Sequence, residues 1–185
     1  MRLLPTPRRR SIRSRKGRPF VSRPMLEAME ERTLLSAGNL DTTFATTGQE
    51  LLNLGTTVPS YDLPTAVTVV APDGRILVGG WADSQIAVAR YTANGALDTT
   101  FNAAGPVKGV VTTTLPGAYG SIRGLAVQPD GKIVAVGGAV QGGLETDFLI
   151  VRYNANGTLD TSFGTDGYVM TSAGPGTLAE ARAVL

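Results

Sequence analysis

The sequence predicts an all-β chain built from repeated four-stranded antiparallel sheets, and three observations carry that expectation. The first is a turn between two apolar strands. Gln128-Pro129-Asp130-Gly131-Lys132 separates residues 122–127 from 133–138, and Pro72-Asp73-Gly74 separates 66–71 from 75–80. Pro presets φ, Asp tolerates the next position and Gly takes the positive φ that closes the turn, so each reads as a β-hairpin. The second is recurrence: the two hairpins lie 57 residues apart, from Pro72 to Pro129. The third is composition, with 23 Gly, 42% hydrophobic residues and only 6% aromatic ones, a balance that favours short strands and tight turns.

The repeat extends beyond the hairpins. Gly38-Asn39-Leu40-Asp41-Thr42-Thr43-Phe44 returns as Gly95-Ala96-Leu97-Asp98-Thr99-Thr100-Phe101 and as Gly157-Thr158-Leu159-Asp160-Thr161-Ser162-Phe163, at spacings of 57 and 62 residues. Such variation in spacing places insertions in loops. In the second unit the strands are expected at 107–114, 122–128, 132–138 and 147–153. In the first they are expected at 49–57, 65–70, 75–81 and 85–91. Leu149-Ile150-Val151 and Ile133-Val134-Ala135-Val136 are apolar on both faces, so they need cover on both faces. One four-stranded sheet cannot provide it, whereas like sheets stacked against each other can. That expectation is one of β-propeller blades: two complete and a third truncated.

The expected organisation is a disordered basic arm over 1–24, a short helix or sorting segment over 25–37, and propeller-like repeats over 38–185. The repeat units run about 38–94, 95–156 and a partial 157–185. Propellers close with about four to eight blades, so the chain is expected to be a fragment of a larger propeller protein. Nine of the 17 Lys and Arg lie in residues 1–24 with no acid, while the other eight share residues 25–185 with all 15 acids. The arm is therefore +9 and the body −7, a poor charge for a polyanion, and no nucleic-acid partner is expected for the body. Prolines 5, 7, 19 and 24 and mutual repulsion keep the arm from folding alone.

Pro24, the acids Glu27, Glu30 and Glu31, and a stop at Gly38 favour a short helix after the arm. The glutamates interrupt the apolar stretch of an ordinary signal peptide, and no apolar run reaches the ~18 residues of a membrane helix. Leu26-Glu27, Arg32 and Leu34-Leu35-Ser36-Ala37 resemble the LEPR-xLL-type segment of large bacterial surface or secreted proteins, with Glu31 where that pattern has proline. The resemblance implies export or sorting to the medium or the cell surface. Gln128-Pro129-Asp130-Gly131-Lys132-Ile133, Asp147-Phe148, Arg152-Tyr153-Asn154 and the segment from Asn156 to Gly164 resemble the delta-60 repeat family. That resemblance implies β-propeller blades and brings no activity of its own. The first unit departs from it at Val70-Ala71 and Gln85-Ile86.

No Cys and no His occur, which removes thiol nucleophiles, Ser-His-Asp triads and the usual zinc and haem ligands. Asp41, Asp98 and Asp160 recur after Leu, and a ring of acids around a ligand competes with a simpler reading as Asx turns. Asn94-Gly95 and Asn156-Gly157 are turn residues, as are Asp73 and Asp130 in the hairpins. Asn154-Ala155-Asn156-Gly157 with Asp160 is oxygen-rich like a calcium loop but lacks its run of acids and closing Glu. Arg90 and Arg152 end the fourth expected strands and, being repeated, read as ties between blades. Trp81, beside Asp83, is the one candidate for stacking on a sugar ring or partner. No catalytic, cofactor or metal residue is expected. The function expected is a non-enzymatic secreted or cell-surface scaffold binding protein, envelope polysaccharide or its own kind. Its rival is a secreted carbohydrate-active enzyme, which needs a unique acid pair in place of repeated acids.

Overall fold

The computed structural model describes residues 39–54, 62–70, 72–142 and 145–185, all within the compact unit Gly38–Leu185. The basic arm expected over 1–24 and the helix expected over 25–37 lie outside the described residues. Among the described residues there is no helix. Strands β1 (Asp62–Val70), β2 (Arg75–Ala82), β3 (Gln85–Tyr91) and β4 (Val110–Thr113) form one antiparallel sheet in that order. Strands β5 (Ala118–Val127), β6 (Ile133–Gln141), β7 (Thr146–Tyr153) and β8 (Tyr168–Thr171) form a second with the same order. The all-β, four-stranded antiparallel architecture is as the sequence predicts.

The hairpin turns lie where the Pro-Asp-Gly runs place them. Gly74 and Gly131 take φ of 70° and 82°, and the Asp73 and Asp130 carboxylates accept the N–H of Arg75 and Lys132, both at 3.1 Å. The β2–β3 turn uses Asp83 and Ser84 at φ 42° and 68°, two consecutive left-handed residues whose twist suits a two-residue hairpin.

The sheets are cut from the repeat at a different point than expected. Residues 107–114 were expected to open the second sheet, but Val110–Thr113 pairs with Ile86–Ala89 and completes the first. The physical reason is the free edge of β3. The chain bends through Leu97–Phe101, returns antiparallel, and the Arg90 N–H donates to the Gly109 carbonyl at 2.9 Å. Gly109 (φ 91°) has no room for a Cβ against Leu97. Tyr168–Thr171 closes the second sheet in the same way, with Arg152 N–H donating to Gly167 O at 3.0 Å. Correspondingly, residues 49–54, expected in the opening strand of the first sheet, form no strand.

The two sheets stack, with β5 lying against β1, β2 and β3. Leu77, Ile86, Val88, Ile122, Leu149, Val151 and Tyr153 are all at 0% exposure in one shared core. Burying an Ile or Leu side chain stabilises by about 1.5–3 kcal/mol, so this layer is the main apolar contribution. The faces turned away from it are more open: Val67, Val69 and Phe148 are 69%, 63% and 40% exposed.

A bulge in each first strand serves the stacking. The register shifts between Pro64 and Ala66 and again between Ile122 and Gly124, leaving Thr65 and Arg123 unpaired. Thr65 Oγ1 donates to the Ile122 carbonyl, and Arg123 Nε meets Glu180. In both strands the bulged residue reaches the next segment along. The bulge also folds a carbonyl over the partner strand: a Cβ at Gly80 would strike Leu63 O, and one at Gly137 would strike Ser121 O. This explains why Gly80 and its counterpart 57 residues on, Gly137, are both glycine. Gly80→Ala and Gly137→Ala should each destabilise the fold by about 1–3 kcal/mol, the range for overpacking. Urea unfolding at constant slope checks this, and an unchanged midpoint in both would contradict the bulge geometry.

Candidate functional site

Two regions gather polar side chains, one repeated and one unique. The repeated one centres on Asp98 and Asp160, each 5% exposed. Both open an Asx turn. Asp98 Oδ1 accepts the Thr100 N–H at 3.0 Å and its hydroxyl at 2.6 Å, and Asp160 Oδ1 accepts the Ser162 N–H at 3.2 Å and its hydroxyl at 2.7 Å. The other carboxylate oxygen faces cations. Arg90 Nε lies 2.8 Å and Arg75 Nε 3.3 Å from Asp98 Oδ2. Arg152 Nε lies 2.7 Å and Lys132 Nζ 3.0 Å from Asp160 Oδ2.

The arginines do more than neutralise. Arg90 stacks 4.6 Å over Phe101 and donates to the Ala155 carbonyl of the second sheet at 2.7 Å, so it ties neighbouring sheets as the sequence reading expects. Arg152 stacks 4.5 Å over Phe163. Phe101 in turn covers Gly157, whose Cβ would lie 2.7 Å from the ring, and Asn102 N–H donates to Asn156 O at 2.7 Å. The second cation, Arg75 or Lys132, escaped the sequence reading, although a basic residue follows Pro-Asp-Gly in both hairpins. Asp41 makes the same Asx turn, with Thr43 N–H at 2.9 Å and its hydroxyl at 2.6 Å, but no cation stands beside it among the described residues.

The oxygen-rich loop near Asn154 is already engaged. Asn156 Oδ1 accepts the Thr158 N–H at 3.1 Å and hydroxyl at 2.8 Å, Asn154 donates to Thr158 Oγ1 at 3.0 Å, and Asp160 is held as above. Among the described residues, no three acids gather in a way that could hold a metal ion.

These contacts set the carboxyl chemistry. The Ser162 hydroxyl and the Lys132 ammonium, with Arg152, hold the Asp160 carboxyl well below the ordinary 3.8. Burial pushes the Asp98 carboxyl up, but the Thr100 hydrogen bonds and Arg90 outweigh it and the net direction is down. Burial pushes the Tyr153 phenol up, partly offset by the Thr113 hydroxyl 2.9 Å away.

The unique region is a cleft at the rim opposite the Pro-Asp-Gly turns. Trp81 ends β2, Tyr119 and Ser121 begin β5, Arg123 stands at the bulge, and Glu180 closes the far side around a cavity of about 320 Å³. Tyr119 is 64% exposed and Trp81 half-buried. The equivalent place on the second sheet, 57 residues on, is Gly138, which lines the same cleft. Asp83 sits in the exposed β2–β3 turn and is not among the cleft-lining residues. Sequence reasoning missed Tyr119, Arg123 and Glu180, whose meeting depends on the stacking of sheets and on the bulge.

A carboxyl whose value falls on folding stabilises the fold above its unfolded value, and that contribution is lost as the pH falls through the depressed one. The thermal midpoint should therefore be flat from neutrality to about pH 5 and drop below about pH 4. Asp160→Asn should lower the neutral-pH midpoint and flatten the acid limb, which thermal unfolding followed by circular dichroism at stepped pH measures. An acid limb unchanged by that substitution would contradict the assignment.

Residues 71–101 and 128–163 match the model of a family described as "Domain of unknown function (DUF5122) beta-propeller", while no curated protein matches the chain. Both matched stretches begin at a hairpin turn and end on the Phe of the Asp–Arg–Phe cluster. With two stacked four-stranded sheets built on the same plan, the chain carries repeats of the β-propeller type.

Proposed function

We propose that the chain is a non-enzymatic binding scaffold, exported to the bacterial cell surface or medium, that engages envelope polysaccharide or a protein through the rim cleft. The observation that carries this reading is the asymmetry of the cleft. The buried charges are copied from sheet to sheet and used up in holding the fold, whereas Trp81, Tyr119 and Arg123 meet once, at an accessible rim. Two aromatic side chains with a guanidinium and a hydroxyl nearby suit a sugar ring, which offers an apolar face for stacking and hydroxyls for hydrogen bonds. A carbohydrate-active enzyme on the same cleft would need two carboxyls about 5–10 Å apart. Glu180 is the one acid lining it among the described residues, and it is paired with Arg123.

Affinity electrophoresis against bacterial envelope polysaccharides tests the binding. Tyr119→Ala and Trp81→Ala should each weaken it by about two- to tenfold, the worth of one aromatic contact. Tyr119→Ala should leave the thermal midpoint unchanged, because that ring is mostly in solvent. Retained affinity in both variants would remove the cleft from the proposal. Export rests on the segment over 26–37: a reporter fused behind residues 1–37 should reach the medium or surface, and the same fusion lacking 26–37 should stay inside. Equal export of both would overturn that part.

A further inference from the structure

Asn156-Gly157-Thr158 is the one Asn-X-Thr/Ser triplet of the chain, and the turn after β7 holds it in a defined shape. An Asn followed two residues on by Thr or Ser, with no proline between, is the pattern at which a sugar is joined to an asparagine side chain. Asn156 Oδ1 accepts the Thr158 N–H at 3.1 Å and the Thr158 hydroxyl at 2.8 Å. The amide is thus held by its oxygen alone, and its Nδ2 donates to no group among the described residues. Asn156 and Thr158 are both exposed.

The neighbouring asparagines are used differently. Asn154 spends its Nδ2 on Thr158 Oγ1 at 3.0 Å, and Asn102 spends its own on the Val110 carbonyl at 2.7 Å. Asn94 heads the same turn in the first unit, but Ala96 stands where Thr158 stands, and its Oδ1 accepts the Thr92 hydroxyl instead. The exposure of Asn156 is not that of a loose end. Asn102 N–H already donates to its carbonyl at 2.7 Å, and the Phe101 ring covers Gly157. Asn94 carries the Ala45 N–H in the same way at 2.8 Å, has the second sheet beyond it, and is still exposed. The Asn156 turn also lies at the end of the sheet that carries the Pro-Asp-Gly hairpins, since a Cβ at Gly131 would sit 3.2 Å from Ala155. A bulky group on Asn156 therefore leaves the Trp81–Tyr119 cleft, at the opposite rim, open.

We propose that Asn156 is a glycosylation acceptor that takes one sugar from a donor activated through a diphosphate. Nδ2 attacks the anomeric carbon of the donor. The N–C bond forms, the bond from that carbon to the diphosphate oxygen breaks, the diphosphate departs with the bonding pair, and one Nδ2 proton passes to a base of the transferase. Two donors on Oδ1 polarise the amide and make that proton easier to remove. The site rests on the turn alone and is independent of what the cleft binds.

The test incubates the full chain with a soluble glycosyltransferase that reads Asn-X-Thr and with UDP-glucose, and follows the intact mass. One hexose should be added, peptide mapping should place it on Asn156, and Asn156→Gln should remove it. Thr158→Ser keeps both donors and should retain the modification, whereas Thr158→Ala should slow it about tenfold or more, as for a lost hydrogen bond. Ala96→Thr should add a second hexose at Asn94, because the two turns share their backbone bonds: Thr92 N–H to Ala96 O and Asn154 N–H to Thr158 O, both at 2.8 Å. The free peptide of residues 152–160 lacks the preformed turn and should react about two- to tenfold more slowly than the chain, the cost of ordering one side chain. No hexose on the folded chain, a hexose elsewhere than Asn156, a rate indifferent to Thr158→Ala, or a peptide faster than the chain would overturn the proposal.

Discussion

A carboxylate taken almost entirely out of water, with two cations laid against one of its oxygens, holds three separate parts of each sheet at a single point. Asp160 belongs to the bend before β8, Arg152 to the end of β7, and Lys132 to the start of β6. A buried ion pair costs desolvation and stabilises only where its remaining hydrogen-bonding capacity is met. Here it is met: the second oxygen of Asp160 accepts the Ser162 N–H and hydroxyl, and the guanidinium of Arg152 also faces the Phe163 ring. The cluster therefore works as a register pin more than as a source of net stability. If Arg152 slipped by one residue it would point to the opposite face, and the Gly167 carbonyl would lose its donor at the same time. The fourth strand is short, four residues in each sheet. A strand of that length needs such a pin to stay on its edge.

The bend that carries the carboxylate also joins one sheet to the next. Phe101 leaves the Arg90 cluster of the first sheet and lies on Gly157 of the second, while Arg90 reaches the Ala155 carbonyl. Charge pinning and inter-sheet stacking are thus coupled through one side chain. The inner strands contribute a parallel tie: the bulges at Thr65 and Arg123 turn side chains that would otherwise stay in the pleat toward the neighbouring segment. The glycines opposite the bulges, Gly80 and Gly137, make room for the displaced carbonyls. Bulge, glycine and a hydrogen bond to the next segment along form one device, used twice.

How much of this was legible follows from what a repeat does and does not encode. Strand positions follow from apolar runs and turn residues, so β2, β3, β6 and β7 fall within a few residues of expectation. The period follows from similarity between units. The phase does not: a four-strand repeat can be divided into sheets at any of its connections, and similarity is blind to which is chosen. The choice lies in backbone bonds from Arg90 to Gly109 and from Arg152 to Gly167, between residues far apart in sequence. The Asx turns were legible because they are local. The second cation of each cluster was only half legible, since Arg75 and Lys132 recur visibly after Pro-Asp-Gly while their target lies 23 and 28 positions away. The rim cleft was legible only through Trp81, because Tyr119 and Glu180 reach it through stacking.

Repetition itself separates structure from recognition in this chain. A side chain copied in both sheets with the same partners, as Arg90 and Arg152 are, is explained by the fold it maintains. Trp81 breaks the copy: its counterpart is Gly138, where a Cβ would lie only 2.7 Å from the Thr146 side chain. The same logic applies at the opposite end of the polarity. Asp41 and Phe44 are copied faithfully, yet among the described residues they lack the cation that gives their counterparts a purpose.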